Sequence, residues 1–208
     1  MDQAIIERFS DYDVRFRICD DIKSHKKWLP LIEDGFTDSF VICDDDTLYP
    51  DDWLKQLTEE DRRDAYVGTR CHEIHYNPAG APARYDQWKH DVGWRESPSH
   101  DLFITGVGGA VIHPDRIGKS FRDREKIMRL CSNSDDIWLK AAHVDAGVPC
   151  YKTQFSFPCF ELPGSLGSSL LRTNVDAGYN DVQIINMNPF FNRGAPEGAI
   201  GAVVNRKT

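Results

Sequence analysis

The chain has no stretch of 18 apolar residues and no short apolar stretch of the kind that opens a secretory leader. It is therefore expected neither to cross a membrane nor to enter the secretory path by itself, which points to the cytoplasm and leaves only peripheral membrane association open. It has no Cys-x-x-Cys pair: Cys19, Cys43, Cys71, Cys131, Cys150 and Cys159 are scattered. That spacing excludes a zinc ribbon and argues for reduced core thiols over a disulfide framework. No Lys/Arg cluster stands out, and 25 basic against 33 acidic residues leave a net charge of -8, so nucleic acid is not an expected partner. A glycine-rich basic loop after the first strand is also lacking, which argues against a phosphate-cradling nucleotidyl or phosphoryl transferase. Internal repeats are absent as well.

What the 208 residues do contain suits one domain able to bury roughly 70% of its extended-chain surface. Its most informative feature is Asp44-Asp45-Asp46, which closes the apolar run Phe40-Val41-Ile42-Cys43. That run reads as a buried strand, so the triplet concentrates negative charge at a strand's C-terminal end. Carboxylates packed this closely repel one another, and a hard divalent cation, Mg²⁺ or Mn²⁺, relieves the repulsion while leaving positions for phosphate oxygens. The plainer reading is a polar turn ahead of a helix starting near Asp51-Asp52-Trp53-Leu54. Capping explains Asp51 or Asp52, but it does not require three more acids directly on the strand end.

Elsewhere, Val14, Phe16 and Ile18 alternate with Arg15 and Arg17 as a strand would, and Ser24 is placed to cap a short helix through Lys26, Lys27 and Trp28, with Pro30 kinking it or setting its first turn. Ala65 to Thr69 reads as a strand. His72 to His100 has no period and reads as an irregular excursion. Leu102 to Ile112 is apolar with glycines at 106, 108 and 109, which permit close backbone or ligand approach. A charged helix is expected near Arg122 to Leu130, and Ser134 opens a well-signed helix with Asp135 and Asp136 in its first turn. Tyr151 to Phe157 reads as the last strand. Strands alternating with helices indicate an α/β domain over residues 1–187, expected to carry a mainly parallel sheet flanked by helices, and a loosely held tail over 188–208. Asp44 to Asp46, at a strand end, and Asp135 to Asp136, at a helix start, are expected to gather in one cleft at the sheet's C-terminal edge.

Taken together, Asp21 to Lys27, Val41 to Leu54, Thr105 to Gly109, Asp135-Asp136-Ile137-Trp138 and the late Tyr179-Asn180-Asp181 resemble bacterial glycosyltransferases of the GT-A fold, most nearly the family 2-like enzymes of surface polysaccharide assembly. The resemblance spans residues 12 to 185 or so. It implies a nucleotide-sugar donor, a glycan acceptor and a divalent metal on Asp44 and Asp46. Asp45 would support the site or touch ribose, and Lys26 or Lys27, with Lys26 preferred, would reach the diphosphate. Asp136 would be the general base, with Asp135 beside it, and Gly108, Gly109 and Trp138 would line the acceptor pocket. For Asp135 the plainer reading is helix-dipole stabilisation, for Trp138 it is core packing, and for Lys26 a solvated charge. Relatives begin with a strand, helix and strand that hold base and ribose. Only about a dozen residues precede Val14 here, so the domain is expected to be N-terminally shortened, and a noncatalytic remnant or partner subunit is the alternative to an enzyme.

Overall fold

The computed structural model describes residues 3–161, 174 and 178–194. Its helices are α1 (Gln3–Arg8), α2 (Leu29–Glu33), α3 (Trp53–Glu59), α4 (Arg124–Leu130), α5 (Asp135–Asp145), α6 (Tyr179–Asn186) and α7 (Asn188–Phe191). The strands are β1 (Phe40–Ile42), β2 (Thr47–Leu48), β3 (Tyr66–Gly68), β4 (Cys71–Glu73), β5 (Leu102–Ile104), β6 (Ala110–Ile112), β7 (Cys150–Lys152) and β8 (Phe160–Glu161). Four of these make the central sheet, in the order β1-β6-β3-β7, while β2-β8 and β4-β5 are two-stranded ribbons.

The domain is α/β, but the sheet is mixed where a mainly parallel one was expected. β6 runs antiparallel to both β1 and β3, and only β3-β7 is parallel. The reason is local. β1 and β3 both run toward the end where Asp44 and Thr69 emerge, whereas β6 starts from that end, just after the turn at Gly106–Gly108, and runs back between them.

Alternation along the strands divides the core in two. Ile42, Tyr66, Ile112 and Cys150 join the larger cluster with Ile137, Trp138 and Ala141 of α5. Val67, Val111 and Tyr151 pack on the other face against Trp53 and Leu57 of α3. Six free thiols are found, with Cys71, Cys131 and Cys150 buried.

Three other expectations are corrected. Residues 14–18 form no strand: the segment pairs with no neighbour, and Ile18 is 87% exposed, so apolar alternation had no sheet to join. The strand expected over Tyr151 to Phe157 stops at Lys152 and is followed by β8, because Gln154 and Phe155 turn their N–H groups to the Glu60 carboxylate at 2.8 and 3.2 Å and leave the ladder. The tail does not loosen at Asn188. α7 buries Phe190 and Phe191 against the main core, where Phe190 meets Phe121 edge-on; residues 195–208 lie outside the described residues. No helix among the described residues is long and apolar enough to cross a membrane.

Candidate active site

The site is assembled by a short 3-10 turn, Lys23–Lys27. With three residues per turn, side chains three apart eclipse, so this pentapeptide presents three distinct faces. Lys23 and Lys26 both turn outward to the exposed Asp21 carboxylate, at 2.6 and 3.1 Å. His25 and Trp28 turn inward, the indole Nε1 donating to His25 Nδ1 at 3.3 Å while His25 Nε2 bonds the Cys131 carbonyl at 2.7 Å. Ser24 and Lys27 share the third face. Ser24 Oγ accepts from the Asp135 N–H at 3.0 Å, which ties the turn to the start of α5. Ser24 is thus no cap for its own helix, as the sequence suggested. It completes another one.

Lys27 Nζ stands between the two acidic motifs, 2.7 Å from Asp44 Oδ1 and 3.1 Å from Asp135 Oδ2. The Asp135 oxygen is buried and has no aligned donor, so its partner is the ammonium charge alone. Asp136, next along, accepts from the Gly106 N–H at 2.8 Å. A Cβ added at Gly106 would lie 3.0 Å from Asp136 Oδ1, 3.2 Å from Lys27 Nζ and 3.9 Å from Asp135 Oδ2. Gly106 is therefore the glycine that opens onto the carboxylates. Asp44 meets the Asp135-Asp136 pair, more than 90 positions later in sequence, around one ammonium and one backbone N–H.

The electrostatics follow from that crowding. Burial opposes the charge on Lys27, but Asp135, Asp136 and Asp44 outweigh it and hold the ammonium well above the ordinary lysine range. Burial pushes the Asp44 carboxyl up, against the pull of Lys27. For Asp136, burial first and the Asp135 charge second raise the pKa to about 7, against Lys27 and the Gly106 N–H. Asp135 is 3% exposed, whereas Asp136 keeps partial contact with solvent. Of the pair, Asp136 is thus the one placed to exchange a proton near neutrality.

The remaining expected residues separate. Asp45 and Asp46 form the turn between β1 and β2, where the Asp46 charge bears on Asp44. Among the described residues no three His, Cys, Asp or Glu groups are arranged to hold a metal. Asp44 and Asp46 supply two carboxylates, the number Mg²⁺ commonly takes when a phosphate substrate completes its shell, so the residues fit such an ion as part of its coordination. Lys26 is corrected: it faces solvent, and Lys27 holds the position in the site. Trp138 is corrected as well, being fully buried with its Nε1 donating to the Phe121 carbonyl at 2.8 Å, out of reach of any sugar. Gly108 and Gly109 serve packing instead of an acceptor. The Gly108 carbonyl accepts from Trp53 Nε1 at 2.8 Å and Thr69 Oγ1 at 2.5 Å, and a Cβ on Gly109 would overlap the Trp53 indole.

The sequence reading preferred Lys26 to Lys27, gave Ser24 another helix to cap, saw Gly106 only as one of three glycines allowing close approach, and gave Tyr49 no role in the site. Tyr49 OH accepts from the Asp44 N–H and donates to the Val107 carbonyl, both at 2.9 Å, fastening the acidic strand end to the Gly106–Gly108 turn. No protein-family model matches the chain, and no curated protein matches it either.

Proposed function

We propose that the chain is a GT-A-like glycosyltransferase domain that moves a sugar from a nucleotide-diphosphate donor to a hydroxyl of a glycan acceptor, with inversion, in bacterial surface polysaccharide synthesis. One observation carries the reading: an acidic strand end and an acidic helix start meet at Lys27 and Gly106, with Asp136 raised to about 7 by burial yet in partial contact with solvent. In the reaction the acceptor oxygen attacks the anomeric carbon and its proton passes to the Asp136 carboxylate. The bond to the diphosphate breaks with its electron pair leaving on the diphosphate. The Gly106 N–H orients Asp136. Lys27 keeps Asp135 and Asp44 in place and lends positive charge to a site where negative charge accumulates. Asp46 and the second oxygen of Asp44 would hold Mn²⁺ or Mg²⁺, which stabilises a leaving diphosphate as a Lewis acid when bound.

The noncatalytic alternative is favoured by one feature: Lys27 already offsets the charge of Asp44 and Asp135, as a purely structural tie would. A panel of nucleotide sugars with MnCl₂, read by donor hydrolysis and by calorimetric binding, separates the two. Turnover that Asp136→Asn abolishes while donor affinity stays within about twofold supports the transferase. Donor binding without turnover in the native chain supports the binding role.

A further inference from the structure

Arg70 lies between β3 and β4 and is tied to the segment that leads into Gly106. Its Nη1 donates to Thr105 Oγ1 at 3.0 Å, and its carbonyl accepts from the Thr105 N–H at 3.1 Å. Thr105 immediately precedes Gly106, whose N–H holds Asp136. The Tyr85 phenol, brought in by the excursion, feels the opposed charges of Asp136 and Arg70, so base, phenol and guanidinium share one locality. Gly108 allows this approach, since a Cβ there would stand 2.6 Å from the Arg70 Cβ.

Several other arginines are neutralised by carboxylates, while Arg122, which also has no carboxylate partner among the described residues, spends its donors on the Ile117 and Pro114 carbonyls. Arg62 pairs with Asp64, Arg84 with Asp181, Arg95 with Glu73 and Arg124 with Glu33. Among the described residues Arg70 has no carboxylate at ion-pair distance, and a hydroxyl is its one side-chain acceptor. A guanidinium carries five N–H donors in a planar fork that matches a carboxylate or a phosphate. Two basic side chains nearby, His72 and Lys27, do not serve as free cations. Burial and the Arg70 charge push His72 down to about 3, so that imidazole is neutral, and Lys27 is engaged by Asp44 and Asp135. A half-buried arginine left unneutralised in a domain of net charge -8 is suited to an anion that arrives with a ligand.

We propose that Arg70 anchors an anionic group of the acceptor, a carboxylate or phosphate, so that the acceptor is an acidic glycan. The inference rests on the transferase reading for the word acceptor, while the anion site itself is tested without turnover. The probes are methyl β-glucuronide, methyl β-glucoside 6-phosphate, neutral methyl β-glucoside and UDP, titrated by ligand-observed NMR into the native chain, Arg70→Met and Arg70→Lys. The acidic glycosides are expected to bind at least tenfold more tightly than the neutral one, and Arg70→Met is expected to erase that preference. Arg70→Lys, which keeps the charge but loses the fork, should weaken the glucuronide at least threefold, and it decides the matter if Arg70→Met does not fold. UDP affinity should be the same in all three. Equal binding of acidic and neutral glycosides, or an unchanged acidic preference in the variants, would overturn the proposal. A loss of UDP affinity in place of glucuronide affinity would also overturn it, by assigning Arg70 to the donor. If the native chain binds neither UDP nor any nucleotide sugar of the panel, the transferase reading fails, and the glycoside comparison still decides whether Arg70 binds anions.

Discussion

Lys27 makes the plainest statement at the scale of single residues, because its ammonium is the one cation common to Asp44 and Asp135. Removing one partner from a largely buried ion pair leaves uncompensated charge, at a cost of about 3 kcal/mol. Lys27→Met should therefore lower stability by that order in urea unfolding, and adding Asp44→Asn should restore part of it by removing one of the stranded charges. A double variant no more stable than Lys27→Met would show that the pair is not coupled. Asp136 yields a pH dependence. Its folded pKa, about 7, lies above the ordinary carboxylate value of 3.8, so between those limits the folded state holds a proton that the unfolded state has released. The stabilising contribution of the protonated carboxyl is complete below about pH 4 and is lost as pH rises through 7. Asp136→Asn keeps an oxygen for the Gly106 N–H but carries no charge. It should match the native chain near pH 4 and exceed it by on the order of 4 kcal/mol at pH 8. Chemical denaturation at the two pH values checks this, and equal differences at both would remove Asp136 as a strained carboxyl.

Between residues and the whole fold, what was readable in the sequence depended on which period an element obeys. β1 and α5 announced themselves, the first through an apolar run stopped by acids and the second through Ser134, whose Oγ accepts from the Ile137 N–H at 3.3 Å as a helix cap should. The 3-10 turn did not, because a helical period of 3.6 does not separate Lys26 from Lys27, whereas a period of 3.0 puts Lys27 with Ser24 on the site face. The glycines of 106–109 were visible, but their partners were not. Gly106 faces the carboxylates, and Gly109 lies beneath Trp53 at φ +92°. Gly109→Ala must accept both a left-handed backbone and an overlap with the indole, so it should cost about 3 kcal/mol or more. Gly147→Ala is the control: φ there is +69°, but nothing lies within 4 Å of an added Cβ, so the backbone penalty stands alone at about 1 kcal/mol. Thermal melts of the two variants should differ clearly, and similar losses would mean that Trp53 yields without cost.

For the whole molecule, the least readable features were those set by residues distant in the chain. Nothing in 188–191 signals that Phe190 and Phe191 close the main core, since a four-residue helix is too short to show a period. The mixed sheet escaped the reading for a related reason: strand direction follows from where the Gly106–Gly108 turn sits relative to β1 and β3, which is a tertiary fact. The excursion from His72 to His100 was recognised as irregular, yet it is pinned. Glu73 and Lys89 exchange backbone hydrogen bonds at 2.9 and 3.1 Å, and Ser99 and Cys150 do the same at the same distances. Midway, the Asp181 carboxylate on α6 accepts from the Tyr85 N–H at 2.7 Å and lies 3.6 Å from Arg84. That contact joins the late helix to the loop that brings Tyr85 toward Asp136 and Arg70. Asp181→Ala should leave α5 protected but free the loop, raising hydrogen exchange at Tyr85 at least tenfold for a global cost of only about 1–2 kcal/mol. Asp181→Asn retains an acceptor oxygen for the Tyr85 N–H and should exchange within a few-fold of the native chain. Site-resolved exchange by NMR on the three proteins distinguishes a tether from a surface charge, because a mere charge effect would make the asparagine and alanine variants behave alike.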